Sequence, residues 1–144
     1  MKELLDTKVI DVMNKKVVSV EMDDNLNIVK EIFDNTIFHH LLVIEKGQLF
    51  GIISDRDLFK AISPNIGKAS ESMSDTASLN KKAHQIMTRS PISVQKNAII
   101  KDVIKCFEDN EISCVPVVNE HSIPVGIISW RDLLKYIKLH LESI

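Results

Sequence analysis

The sequence predicts an α/β protein made of two β-α-β-β-α repeats, each a small three-stranded sheet covered by helices. Three observations predict it. Aligning Met13 with Met87 sets an offset of 74 residues that also brings Ser19-Val20 onto Ser93-Val94, Phe33 onto Phe107 and Val43-Ile44 onto Val117-Val118. Within each copy, short apolar runs alternate with segments of helical spacing, the order of helices layered on a small sheet. Each copy also ends its last strand on the same eight-residue phrase, Gly51-Ile52-Ile53-Ser54-Asp55-Arg56-Asp57-Leu58 and Gly126-Ile127-Ile128-Ser129-Trp130-Arg131-Asp132-Leu133, which differ at one position. Gly51 meets Gly126 at an offset of 75, so the second copy holds one extra residue between its last two strands, where a turn tolerates insertion. A self-match of fixed period is the mark of a tandem duplication.

The elements follow in order. Leu4–Met13 and Leu79–Met87 read as short amphipathic helices. Brief strands follow at Val17–Val20 and, after Pro91, at Ile92–Val94. The next helix has Asp24 or Asn25 as N-cap and Leu26, Val29, Ile32 and Phe33 on one stripe; its counterpart has Asn97 as N-cap and Ile100, Val103, Cys106 and Phe107. The unbroken runs Leu41–Ile44 and Val115–Val118 suit strands buried on both faces. Pro116 lacks an N–H, which places it at the start of its strand or on an edge. The strands Leu49–Ile53 and Val125–Ile128 come next, and the closing helices are Asp55–Ile62 and Trp130 to about Leu141. The domain boundaries expected are 1–62 for the first repeat with its N-terminal helix, 63–78 for a Ser-rich polar linker with a mobile middle, and 79–144 for the second repeat. About sixty residues bury little core alone, so the two repeats are expected to pack together.

Composition narrows the function. Of 144 residues 44% are hydrophobic and 26% charged, the balance of a soluble globular chain. A net charge of −2 gives no field for nucleic acid or a membrane surface, and neither is expected as a partner. No apolar run nears the roughly 18 residues of a spanning helix, and the acidic N-terminus lacks a signal core, so a cytoplasmic location is expected. Cys106 and Cys114 have no second Cys or His at ligand spacing and read as reduced core thiols; no metal is expected.

Ser54 with Asp57, and Ser129 with Asp132, have the spacing of a capping box, in which hydroxyl and carboxylate satisfy the first N–H groups of a helix. For one copy alone that is the plainer explanation. The repetition points to a ligand as well: Gly51 and Gly126 leave room for a ligand or a neighbouring backbone, Arg56 and Arg131 precede the Asp, and a helix N-terminus favours phosphate.

This duplicated Gly-apolar-apolar-Ser-x-x-Asp motif resembles that of the CBS domains, named after cystathionine β-synthase. So do Ile86-Met87-Thr88-Arg89-Ser90-Pro91-Ile92-Ser93-Val94 and Cys114-Val115-Pro116-Val117-Val118. The resemblance covers nearly the whole chain. It implies the α+β-like CBS-pair fold, its repeats packed about a pseudo-two-fold axis with two related clefts that bind AMP, ADP, ATP, NAD or S-adenosylmethionine in many members. By this resemblance Asp57 and Asp132 hold ribose hydroxyls, and Ser54 and Ser129 lie near phosphate or ribose. His39 and His40, or Ser113 and Cys114 in the second copy, fall where some members contact phosphate. Val12, Val18, Ile86 and Ile92 wall the adenine, and each cleft draws on both copies. An ionised carboxylate suits a cis-diol because it accepts two charge-assisted bonds.

The copies differ. His39-His40 offers cations that Ser113-Cys114 does not, though two solvated residues at a strand entrance remain the alternative; neighbours on a strand point to opposite faces, which disfavours a metal pair. Trp130 replaces Asp55, either to stack on a ligand or, as preferred, to pack at an interface. Leu42 stands where the second copy has Pro116. No P-loop, dinucleotide fingerprint or nucleophile–base pair appears, and no enzyme is expected. The resulting expectation is a homodimeric regulatory module, with no required cofactor, that binds an adenine nucleotide (AMP first) and signals energy or metabolite state to a regulated protein. The alternative is a ligand-free dimerisation module.

Overall fold

The computed structural model describes residues 2–142. The chain divides into two compact units, Val18–Ser90 and Met1–Val17 with Pro91–Ile144. It opens with α1 (Lys2–Leu5) and a 3-10 turn at Val9–Asp11. Then come β1 (Ser19–Glu21), α2 (Leu26–Asn35), β2 (His40–Glu45), β3 (Gln48–Ser54) and α3 (Asp55–Ala61). The middle holds α4 (Met73–Ala77), a 3-10 turn at Ser78–Asn80, α5 (Ala83–Ile86) and β4 (Thr88–Arg89). The second copy supplies β5 (Val94–Gln95), α6 (Ile100–Asp109), β6 (Cys114–Val118), β7 (Pro124–Ser129) and α7 (Trp130–Glu142).

The sheet of the Val18–Ser90 unit has the order β1-β2-β3-β4, with β1 parallel to β2 and the other pairs antiparallel. Its core closes on Leu26, Val29, Leu41, Val43, Ile53 and Leu58, all at most 1% exposed. The hairpin between β2 and β3 turns on Lys46 (φ 52°) and Gly47 (φ 80°), the two left-handed positions that match the twist of a two-residue loop. The other sheet has the order β5-β6-β7 and packs Val9, Ile100, Val103, Val115, Val117 and Ile128.

Several elements differ from the sequence reading. The helices expected over Leu4–Met13 and Leu79–Met87 are each broken into two short turns. In the first, Val9 donates to Ala98 O and Ile100 donates to Thr7 O; in the second, Leu26 donates to Lys81 O and Ala83 to Asp24 O. Those backbone groups are drawn off to remote partners, so the helical ladder cannot run through them. Asn25 caps α2, its Oδ1 accepting from Ile28 N–H at 3.2 Å. Asn97 does not cap α6. That helix starts at Ile100, and the residue at its N-cap is Ile99, whose N–H donates to Asp102 Oδ2 at 3.0 Å.

Pro116 is neither at the start of its strand nor on an edge: it pairs with Ile127 in the middle of β6, the central strand. The first copy explains how. Leu42 at the equivalent position donates to Val18 O. Pro116 has no such proton, and β5 begins only at Val94, so the missing N–H falls where no strand needs it. β4 was not expected; it adds Thr88–Arg89 to the free edge of β3. Residues 63–78 contain α4, capped by Ser72, and Ser63 Oγ donates to Asp75 at 2.6 Å.

Candidate functional site

Both motif turns are built alike. β3 runs out at Ser54, and the chain turns directly into α3. Ser54 N–H donates to Asp57 Oδ2 at 2.8 Å, and Asp57 N–H donates to Ser54 Oγ at 3.1 Å. At the end of β7, Ser129 N–H donates to Asp132 Oδ2 at 2.8 Å, Ser129 Oγ donates to the same oxygen at 2.9 Å, and Asp132 N–H donates to Ser129 Oγ at 3.3 Å. The capping boxes are therefore formed in both copies. Each uses Oδ2 of its carboxylate, and Oδ1 takes no hydrogen bond among the described residues.

The glycines serve these turns from inside the fold. A Cβ on Gly51 would collide with the Sδ and Cγ of Met87, and one on Gly126 with the same atoms of Met13. The space is needed by a methionine from the other copy's leading segment. That role was hidden in the sequence, although Met13 and Met87 are themselves an aligned pair.

In the Val18–Ser90 unit, His40 lies opposite Ser54 across the β2–β3 pair. His39 Nδ1 and Asp55 Oδ2 are 2.8 Å apart, and Asp55 N–H donates to His39 O at 3.0 Å. Burial pushes the His40 imidazole below its ordinary value; Asp55 opposes the fall, His39 adds to it and Asp57 opposes it more weakly. Asp55 is thus part of this cluster, which the sequence signalled only through its exchange for Trp130. In the other unit Cys114 occupies the place of His40, opposite Ser129. Its thiol is pushed up to about 12, first by burial and then by Asp132. Trp130 N–H donates to Ser113 O at 3.2 Å. The Trp130 ring meets Phe107 edge to face, centroids 6.1 Å apart, while remaining 56% exposed.

The remaining expected residues sort by unit. Val18 and Ile86 pack on the core that holds Ile53 and Leu58, with His39, His40, Ser54 and Asp57 in the same unit. Val12 packs on the core that holds Ile128 and Leu133, and Ile92, Ser113, Cys114, Ser129 and Asp132 belong to that unit. Arg56 and Arg131 are exposed, and neither makes an ion pair among the described residues. Beside His39 and Asp55 lies a shallow pocket of about 140 Å³ whose apolar wall includes Phe33, Ile37, Phe38 and Phe59. Among the described residues no three His, Cys, Asp or Glu side chains gather as a metal set.

A family model for the CBS domain matches the chain twice, over residues 9–64 and 83–139. The chain belongs to the CBS-domain family. Among curated relatives, the homoserine O-acetyltransferase of Methanococcoides burtonii is 29% identical over 135 residues, covering 93% of this chain and 25% of that one. A CBS domain-containing protein of Dictyostelium discoideum is 25% identical over 134 residues, covering 92% of each. Among solved structures, the CBS domain pair of protein MJ0100, in complex with 5′-methylthioadenosine and S-adenosyl-L-methionine, superposes with a TM-score of 0.74 at 25% identity, covering 91% of this chain and 99% of that one. No helix among the described residues is long and apolar enough to cross a membrane.

Proposed function

We propose that this CBS pair is a regulatory module that binds an adenosine-containing ligand at its two Ser-x-x-Asp turns and relays metabolite state to a partner protein. AMP is the first candidate, ahead of ATP, ADP, NAD and S-adenosylmethionine. The observation that carries the proposal is the repeated geometry of Asp57 and Asp132: one oxygen is held in the capping box and the other takes no hydrogen bond among the described residues. A carboxylate so fixed is pre-oriented toward a ribose cis-diol, and its immobilisation is completed before any ligand arrives. The adenosyl ligands named for the MJ0100 pair support the class. In this reading the chain acts as a homodimer in the cytoplasm and catalyses nothing itself.

Millimolar AMP, ADP, ATP, NAD or S-adenosylmethionine should each be tested for a saturable rise in melting temperature. Asp57→Ala or Asp132→Ala should weaken binding at its own turn by on the order of 10- to 150-fold, the loss of one charge-assisted bond set. No shift with any of the five ligands would refute the proposal. A second reading has an observation of its own: the capping boxes already give Ser54, Asp57, Ser129 and Asp132 a structural task. If that is their whole task, the module is a ligand-free dimerisation unit, and those substitutions lower stability without touching any binding isotherm.

A further inference from the structure

The two turns differ in charge more than in shape. In the Val18–Ser90 unit, α3 presents the carboxylates Asp55 and Asp57 to His39 and His40. On the α2 side, the pocket beside His39 also holds Asp34, which is engaged by Lys30. Arg56, between the two carboxylates in sequence, has an exposed side chain. With both imidazoles neutral, a phosphate set against this cluster meets Asp55 and Asp57 as like charges, and the dianion of a phosphate monoester is repelled. With the imidazoles protonated, the same groups become donors of charge-assisted bonds. In the other unit the corresponding positions are Ser113, Cys114 and Trp130, and Cys114 is only 6% exposed. These three contribute no cation and none that a proton could create near neutral pH.

We infer that the turn of the Val18–Ser90 unit takes a phosphate-bearing adenosine ligand together with protons captured by His39 and His40, whereas the Ser129 turn takes its adenosyl ligand without proton uptake. The inference rests on the reading of both turns as adenosine sites. Histidine is the side chain suited to such a linkage, because its charge changes close to neutral pH. Each proton captured makes affinity fall about tenfold per pH unit wherever the free imidazole is neutral and the bound one charged. Acidification would therefore load the first turn with nucleotide and leave the second unchanged.

The test is calorimetric titration of Asp132→Ala protein, which retains the first turn, with AMP and with adenosine from pH 7 to 8.5. The series stays above the last ionisation of the phosphate itself, which lies near pH 6. Repeating each titration in buffers of different ionisation enthalpy counts protons directly. AMP should bind with proton uptake and weaken as pH rises, by at most about tenfold per pH unit for each proton, while adenosine affinity stays flat. His39→Asn with His40→Asn should abolish uptake and leave adenosine affinity in place. Flat AMP affinity without buffer-dependent heat overturns the proton linkage and leaves the adenosine reading standing. Proton uptake that persists in the double His variant also overturns it. Failure of adenosine and AMP to bind at all overturns the underlying reading, and the inference with it. If the double variant does not fold, the buffer series on protein with both histidines intact still decides.

Discussion

In the proposed reading Asp57 and Asp132 each answer to two demands: one carboxylate oxygen closes a helix cap, and the other is the one assigned to a ribose diol. The serines carry only the first demand in this geometry. Ser54→Ala and Ser129→Ala should each cost about 0.5–2 kcal/mol in urea unfolding, the usual loss for a removed cap. His40 makes a prediction of opposite character. Its folded-state affinity for a proton lies below the ordinary 6.5, chiefly through burial, so the unfolded chain binds the proton more readily. The associated stability is fully present above pH 6.5 and is lost as pH falls through the lower folded value. Melting curves without ligand should therefore decline on acidification, and His40→Asn should flatten that decline. Cys114 should resist alkylation at pH 8 in the native state and react once the protein is unfolded, because burial and Asp132 keep it a thiol. Ser-x-x-Asp was legible in the sequence since both partners lie within one turn. The His39–Asp55 contact spans 16 residues and follows from strand pairing, which a local pattern does not show.

At the scale of elements, β3 and β7 are constrained by what lies over their glycines. Met87 crosses Gly51 and Met13 crosses Gly126 so closely that any side chain displaces a methionine. Gly51→Ala and Gly126→Ala should each destabilise by about 1–3 kcal/mol, the range for overpacking, as read by chemical denaturation. Shortening the opposing side chain, as in Gly51→Ala with Met87→Ala, should return less than the sum of the two single losses, since the residues are in contact. The longer strands, β2 and β3 with β6 and β7, were legible from short apolar runs bounded by turn residues, whereas β4 has no such run. The leading helices were not legible, because Thr7, Val9, Lys81 and Ala83 spend their backbone groups on remote segments. The start of α6 was missed for a related reason: Ala98 N–H turns back to Gln95 O and Ala98 O accepts from Val9, which holds the chain out of the helix until Ile100.

At the scale of the whole molecule, sequence order and spatial grouping part company. Residues Met1–Val17 belong with Pro91–Ile144, and Val18–Ser90 forms the other unit. Val9, fully buried, is part of the core around Val115 and Ile128, and Asn14 exchanges backbone hydrogen bonds with Ile127. A chain lacking residues 2–17 should lose protection from hydrogen exchange in β6 and β7 well before β2 and β3. The duplication itself was readable from a nearly constant offset, and so was the order of the main elements within each copy. The exchange of leading segments was not, since a repeat matches its twin equally well whichever sheet it joins.

That exchange has a consequence for the protein's ancestry. A single copy such as residues 1–78 carries a leading segment whose partner sheet lies elsewhere, and a Gly51 whose covering methionine is missing. Two such half-length chains could satisfy each other, Met13 of one lying over Gly51 of the other, as in a domain-swapped pair. Gene fusion would then have converted an association that depends on concentration into one that is built into the chain. The fused form no longer has to find its counterpart, and each copy is released from being identical to the other. Such freedom is what allows one turn to carry two histidines and its twin a serine and a cysteine.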